Sequence, residues 1–148
     1  MKKLAIIPAR GGSKRIPRKN IKLFLGKPII SYSVEAAISS GLFDEVMVST
    51  EDHEIAEIAK QYGAKVPFFR SIKNSSDTAT TIDVIAEVTE KYSQLGREFE
   101  YTCCIYSCAP FVTKEVLKNK IDLNHDKMIQ NLVSLFACFE AQSFLYIL

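Results

Sequence analysis

Nowhere in this 148-residue chain is there an apolar run long enough to cross a bilayer as a helix. A secretory leader is missing too, because Met1-Lys2-Lys3 is followed by only six uncharged residues before Arg10. These absences argue against a membrane-spanning or exported protein and predict a cytoplasmic one with no membrane partner. Neither G-x-x-x-x-G-K-[ST] nor G-x-G-x-x-G occurs, which counts against a kinase or GTPase of the P-loop kind. Cysteine is scarce and badly spaced for metal. Cys103 and Cys104 are adjacent, Cys108 follows after a gap of three and Cys138 stands apart, while His53 and His125 are distant in sequence. In a reducing compartment these thiols read as small buried apolar groups. Surplus charge is small as well. The net value is +2 and the excess sits near the N-terminus, which suits a local anionic ligand and not the broad basic face of a nucleic-acid binder. Internal repeats and low-complexity tracts are absent, and 47% hydrophobic residues over this length predict one domain, residues 1–148, with a real core.

What the chain does have is concentrated between Leu4 and Asn20, LAIIPARGGSKRIPRKN. Leu4 to Ile7 is uncharged and apolar, as expected of a strand buried on both faces of a parallel sheet. Pro8 removes a ladder donor, and Gly11, Gly12 and Ser13 then supply backbone that can take positive φ and approach a ligand closely. Arg10, Lys14, Arg15, Arg18 and Lys19 crowd the same loop, with no acid within ten residues. Glycine amides among that many cations, just past a buried strand, predict a polyphosphate pocket. A solvated basic loop is the plainer alternative, and for Lys14 and Arg15 it stands level with a phosphate or sugar contact.

Downstream, the pattern alternates strand and helix. Pro28 opens a helical stretch with Ile30, Val34, Ala37 and Ile38 on one face and Gly41 as its stop. Glu45 to Ser49 reads as a second buried strand. A helix follows over about Asp52 to Tyr62, with Ile55, Ile58, Ala59 and Tyr62 inward and Gly63 beyond its end. Lys65 to Phe68 is a short third strand confined to an edge by Pro67. After an aperiodic polar stretch from Phe69 to Thr80, helical spacing returns through Ile82, Ile85, Val88, Tyr92 and Leu95. Tyr101 to Tyr106 is a further strand. Thr113 caps a helix to about Leu123, and Leu132 to Phe139 is a last candidate strand. The order predicts an α/β fold, a mainly parallel sheet with helices on both faces, whose ligands sit beyond the carboxyl ends of the strands. That edge carries the cationic loop, Ser49 to Asp52 and Ser107 to Phe111. Asp44, Glu45, Glu51 and Asp52 are read as strand-edge and helix N-terminal acids in preference to metal ligands.

The segment IIPARGGSKRIPRKNI resembles the N-terminal signature of the cytidylyltransferases that activate nine-carbon acidic sugars, the acylneuraminate and pseudaminate type. Arg10, Gly11, Ser13, Lys14, Pro17, Lys19 and Asn20 are all in register. Arg15 stands where many neuraminate members have glycine, so GSKRIP is closer to the pseudaminate branch. The resemblance implies a Rossmann-like three-layer sandwich of the nucleotide-diphospho-sugar transferase type. It also implies the reaction of CTP with a nonulosonic acid to give a CMP-sugar and pyrophosphate for cell-surface glycans, with Mg2+ as cofactor. Pseudaminate is the first choice of sugar, neuraminate or legionaminate the next.

On this resemblance Arg10 and Lys19 neutralise phosphate charge and are the catalytic candidates. The CTP site comprises Arg10, Gly11, Gly12, Ser13, Lys14, Arg15, Lys19, Asn20, Arg70, Ser76, Asp77 and Thr80. Asn20, Arg70 and the Ser76 to Thr80 segment correspond to positions that hold cytosine and ribose. From the residues alone, Asp77 or Thr80 serves equally well as a helix cap. At Tyr106-Ser107-Cys108-Ala109-Pro110, Ser107 and Cys108 replace the family's usual proline and threonine, so this turn is left outside the site. The family's metal aspartates lie later in longer chains, as do most of the sugar pocket and the homodimer arm, and the metal ligands are unknown here. The resemblance runs firmly from Leu4 to about Leu117, and the chain ends in an apolar stretch, Phe144 to Leu148. The expectation is a C-terminally truncated nucleotide-binding portion of such an enzyme. A catalytically inactive CTP-binding fragment is the alternative, with an unrelated phosphate-binding kinase or GTPase further behind.

Overall fold

A computed structural model describes residues 2–125 and 134–137. In chain order the elements are β1 (Lys3–Pro8), a 3-10 turn (Lys19–Ile21), a small hairpin of β2 (Leu23–Phe24) and β3 (Lys27–Pro28), α1 (Ile29–Ser40), β4 (Glu45–Ser49), α2 (His53–Gln61), a second 3-10 turn (Lys73–Ser75), α3 (Thr81–Gln94), β5 (Tyr101–Ile105), α4 (Lys114–His125) and β6 (Ser134–Ala137). The four longer strands form one sheet in the order β4-β1-β5-β6, and every pairing in it is parallel.

Side-chain alternation along the strands divides the core in two. Ala5 and Ile7 of β1, Val46 and Val48 of β4, and Cys103 and Ile105 of β5 face one way. They pack with Ile30, Val34 and Ala37 of α1, Ile55 and Ala59 of α2, and Leu117 of α4. Leu4, Ile6, Met47 and Cys104 face the other way, against Ile85, Val88 and Tyr92 of α3. The sheet therefore lies between helices, three layers in all, and the apolar interiors of β1 and β4 follow from burial on both faces. Cys103 and Cys104 are buried and split between the two faces, and burial raises the Cys103 pKa to about 12.

The element ends follow local chemistry. Gly41 closes α1 at φ 66, where a side chain would be strained. Asp52 caps α2 by accepting from the Ile55 amide at 3.0 Å. Thr80 and Asp83 form a reciprocal capping box at the start of α3. Thr113 accepts from the Val116 amide at 3.3 Å ahead of α4.

Several sequence expectations are corrected. Lys65 to Phe68 is not a strand: only a single parallel bridge, Met47 to Lys65, forms beside β4. Pro67 has no N–H with which to extend that ladder. On α3 the buried face is centred on Val84, Ile85, Val88 and Tyr92, which leaves Ile82 61% and Leu95 58% exposed at the two ends. Ile38 is also exposed, at 44%, although it reaches toward Gly63. The hairpin of β2 and β3 was not foreseen, since two residues carry no readable period. Of the candidate strand at Leu132 to Phe139, residues 134–137 are β6 and the remainder lies outside the described residues, as do Cys138 and the Phe144 to Leu148 stretch.

Strand order fixes where a ligand site belongs. From β1 the chain proceeds through α1 to β4 on one side, and from β5 through α4 to β6 on the other. The chain thus leaves β1 and β5 toward opposite edges of the sheet, and in such folds ligands sit in the crevice beyond the carboxyl ends of those two strands.

Candidate functional site

The loop after β1 is pinned at three places. Asn20, 4% exposed, donates its Nδ2 to the Arg10 carbonyl at 2.8 Å and accepts the Ser107 hydroxyl on its Oδ1 at 2.7 Å. The Cys108 thiol also reaches Asn20 Oδ1, at 3.2 Å. One carboxamide thus ties the β1 loop to the turn after β5, across the crevice. Second, the Gly11 amide donates to Glu51 Oε1 at 2.8 Å. Third, Arg18 has left-handed backbone at φ 54 and turns its guanidinium onto Asp52 and Glu54 at the start of α2. The Arg18 hydrogen bond is the main reason the Asp52 carboxyl is held below its usual range.

The glycines differ from expectation. Neither Gly11 nor Gly12 has positive φ. Gly11 is required by space, because a Cβ there would lie 2.4 Å from Asp52 Oδ2. Around Gly12 no heavy atom lies within 4 Å of an added Cβ, so that position faces open space. Of the three amides expected to bind phosphate, Gly11's goes to Glu51 and Ser13's goes to the Gly11 carbonyl at 3.0 Å. Only that of Gly12 has no acceptor among the described residues.

The cations divide likewise. Asp77, from the loop ahead of α3, accepts Arg10 Nη1 at 2.7 Å on one oxygen and the Lys14 ammonium on the other. Lys14 first and Arg10 second hold the Asp77 carboxyl below its ordinary range. Arg15 and Lys19 are exposed and make no ion pair among the described residues. The acids missing from the loop's own sequence are supplied by segments more than thirty residues away.

Arg70 is only 8% exposed and lies against the end of β4. Its Nε donates to the Ser49 hydroxyl at 3.1 Å and its Nη2 to the Ser49 carbonyl. Burial is the main influence on this guanidinium and lowers its pKa, opposed by Glu51 and Glu87. Ser76 donates to the Lys73 carbonyl at 2.9 Å, and Thr80 is occupied in its cap. Thr80 thus takes the capping role that its residue type allowed, whereas Asp77 pairs with cations. The polar loop before α3 is stitched down by Glu87, which accepts from the Ser71 amide and hydroxyl, both at 2.7 Å, from Asn74 and from Lys91 at 2.6 Å. Burial works against ionisation of Glu87, but these donors outweigh it and bring its pKa to about 2.

Sequence reasoning passed over Glu51, Ser107, Cys108 and the positioning role of Arg18. The place of Ser107, Cys108 and Glu51 at strand ends was the available signal, but their partners and that of Arg18 lie 34 to 88 residues away, beyond any local pattern. Asp44 and Glu45 have structural partners of their own, the Lys3 amide at 2.6 Å and the Tyr92 hydroxyl with Arg97.

A family profile described as cytidylyltransferase matches residues 4–145. The chain belongs to the cytidylyltransferase family. It is 50% identical over 131 residues to a pseudaminic acid cytidylyltransferase of Campylobacter jejuni, a match covering 88% of this chain and 55% of that protein. It is 37% identical to a CMP-N,N'-diacetyllegionaminic acid synthase of Legionella pneumophila, covering 84% of this chain and 53% of that one. Among solved structures, a CMP:2-keto-3-deoxy-manno-octonic acid synthetase complexed with CTP superposes with a TM-score of 0.71 at 25% identity, covering 85% of this chain and 48% of that one. The chain thus spans about half the length of these curated relatives. No three His, Cys, Asp or Glu side chains gather as a metal-binding group among the described residues. No described helix is long and apolar enough to cross a membrane.

Proposed function

We propose that this cytidylyltransferase-family chain holds CTP in the crevice beyond β1 and β5 and serves transfer of the cytidylyl group to a nonulosonic acid. Pseudaminate is the first choice of sugar, as in the name of the Campylobacter relative. The observation that carries the reading is the remainder left after internal pairing. The Gly12 amide and the Arg15 and Lys19 side chains stay unpartnered among the described residues, on one loop at the mouth of the crevice. Donors and cations without internal acceptors, at the edge where parallel α/β sheets take their ligands, suit a polyphosphate.

In the reaction the sugar's anomeric hydroxyl attacks the α-phosphorus of CTP. A new oxygen–phosphorus bond forms as the bond to the oxygen bridging to the β-phosphorus breaks, pyrophosphate departs, and the hydroxyl proton passes to solvent. Lys19 and Arg10 are assigned the charge that accumulates on the leaving pyrophosphate, and the Gly12 amide a phosphate oxygen. Asn20, through Arg10 and Ser107, keeps the loop at a fixed distance from the β5 turn, so the cations need not reorganise during transfer.

Titration calorimetry with CTP, ATP and GTP, followed by pyrophosphate release with pseudaminate and magnesium, tests the reading. Lys19→Ala and Arg10→Ala should each weaken CTP by roughly tenfold to a hundredfold and leave cytidine nearly unchanged, since charge-assisted contacts contribute about 1.5–3 kcal/mol. Equal losses for both ligands, or a preference for ATP or GTP, would overturn it. CTP binding without turnover is the second outcome that these assays distinguish, with this chain as a CTP-binding fragment.

A further inference from the structure

Most acids around this site cap a helix or hold backbone, whereas the Asp77 carboxylate, like that of Glu54 on Arg18, pairs only with cation side chains. Asp52 caps α2, Glu51 holds the Gly11 amide, Glu87 holds Ser71 and Asn74, and Asp83 completes the cap of α3. Asp77 is 44% exposed at its side chain, and its hydrogen bond and ion pairs are with Arg10 and Lys14 alone. Its loop is fixed at both ends, at Ser71 and Asn74 by Glu87 and at Thr80 by the capping box. Between them, Ser76 is bonded to the Lys73 carbonyl and the Ala79 amide reaches the Ser76 carbonyl at 3.4 Å, so the backbone at Asp77 is held independently of its side chain. A carboxylate with two oxygens, each on a different cation of a phosphate-type loop, occupies the same donors that a phosphate group would need.

We propose that Asp77 is a resident anion that competes with the ligand's phosphates for Arg10 and Lys14, and so sets how much negative charge a ligand must bring. This rests on the proposed nucleotide site, and it makes Asp77 a determinant of specificity and not a contact to the nucleotide. A ligand reaching both cations must first displace the carboxylate. A ligand without phosphates leaves it in place and gains nothing from its removal. Both pairs are exposed, and Lys14 is 79% exposed at its side chain, so the competition is modest and sensitive to salt.

The test is Asp77→Asn in the full chain, titrated with inorganic tripolyphosphate, CTP and cytidine at fixed ionic strength. Removing the competing charge should tighten tripolyphosphate and CTP by about three- to tenfold, with cytidine unchanged. The thermal midpoint should stay close to the parent's, because exposed pairs add little to stability. Adding Lys14→Gln to Asp77→Asn should abolish most of the gain. Unchanged or weaker tripolyphosphate binding in the variant would overturn the proposal and make Asp77 a ligand contact or a bystander. Tripolyphosphate needs no base site, so the two readings fail separately: a parent chain that ignores CTP refutes the nucleotide reading, while the effect of Asp77→Asn on tripolyphosphate still decides the competition.

Discussion

Gly11→Ala puts the packing of the β1 loop to a direct test. Its backbone has ordinary φ, so alanine is unwelcome only because of what stands next to it. The new methyl carbon would lie 2.4 Å from Asp52 Oδ2 and 3.1 Å from both Cβ and Cγ of Asp52. Asp52 is poorly able to yield. Its Oδ1 accepts the Ile55 amide at 3.0 Å, its backbone amide is held by Thr50 Oγ1 at 3.1 Å, and its carboxylate is gripped by Arg18. If the carboxylate moves, α2 loses a cap, a cost of about 1 kcal/mol. If Gly11 moves instead, its amide leaves Glu51, whose Oε2 is already buried without a donor among the described residues, and about 1–3 kcal/mol is lost. Adding residual crowding, the substitution should destabilise by about 2–4 kcal/mol. At this chain length that is a fall in Tm of roughly 5–15 °C. Urea denaturation followed by circular dichroism measures the same quantity at 25 °C. In an Asp52→Ser background the obstructing carboxylate is gone, and Gly11→Ala should cost at least about 1 kcal/mol less there. A Gly11→Ala protein melting within about 1 °C of its parent would refute the reasoning and leave Gly11 without a packing role.

Gly12→Ala is the counterpart: with no heavy atom within 4 Å of the added Cβ, stability should change by less than about 0.5 kcal/mol, while CTP binding should weaken by about tenfold if phosphate approaches this backbone. Undiminished CTP affinity in calorimetry would place the phosphates elsewhere on the loop. Glu87 predicts a pH dependence. Its folded pKa of about 2 lies below its ordinary 4.5, so its stabilisation is complete above about pH 4.5 and is lost as pH falls toward 2. The stability gap between the parent and Glu87→Gln, measured by urea denaturation, should therefore shrink steadily across that window, and a gap that stays constant would contradict the assignment.

The longer strands were legible because each has an apolar interior, with charge at most at its first residue. Glu45 to Ser49 matches its predicted limits, and Leu4 to Ile7 is extended by one residue at each end. Helix starts were legible where a cap preceded an amphipathic stretch, as at Asp52 and Thr113. Misplaced apolar residues fell at helix ends. Ile82 and Leu95 fit the period of α3, yet lie beyond the part of the helix that the sheet covers. Periodicity gives the direction in which a side chain points, but it does not give the extent of the surface waiting for it. At Lys65 to Phe68 an apolar pattern met a proline and an edge, and one bridge was all the ladder could accommodate.

The site was legible as a cluster and illegible as a balance of charge. Read along the chain, Arg10, Lys14, Arg15, Arg18 and Lys19 form an uninterrupted positive block. In three dimensions Asp52 and Glu54 engage Arg18, and Asp77 is shared by Arg10 and Lys14. Three carboxylates against five cations leave a surplus of two, borne by Arg15 and Lys19, toward the far end of the loop from the strand. A triphosphate brings more negative charge than two cations neutralise. Of the three engaged acids, Asp52 and Glu54 belong to the start of α2, and Asp52 cannot leave without undoing a helix cap. Asp77 can leave at the cost of two exposed ion pairs, and its departure returns Arg10 and Lys14 to the ligand. The fold thus keeps Arg18 for architecture and leaves the remaining cations recoverable, a division that no spacing rule in the sequence could have expressed, since it depends on which distant acid also holds a backbone amide.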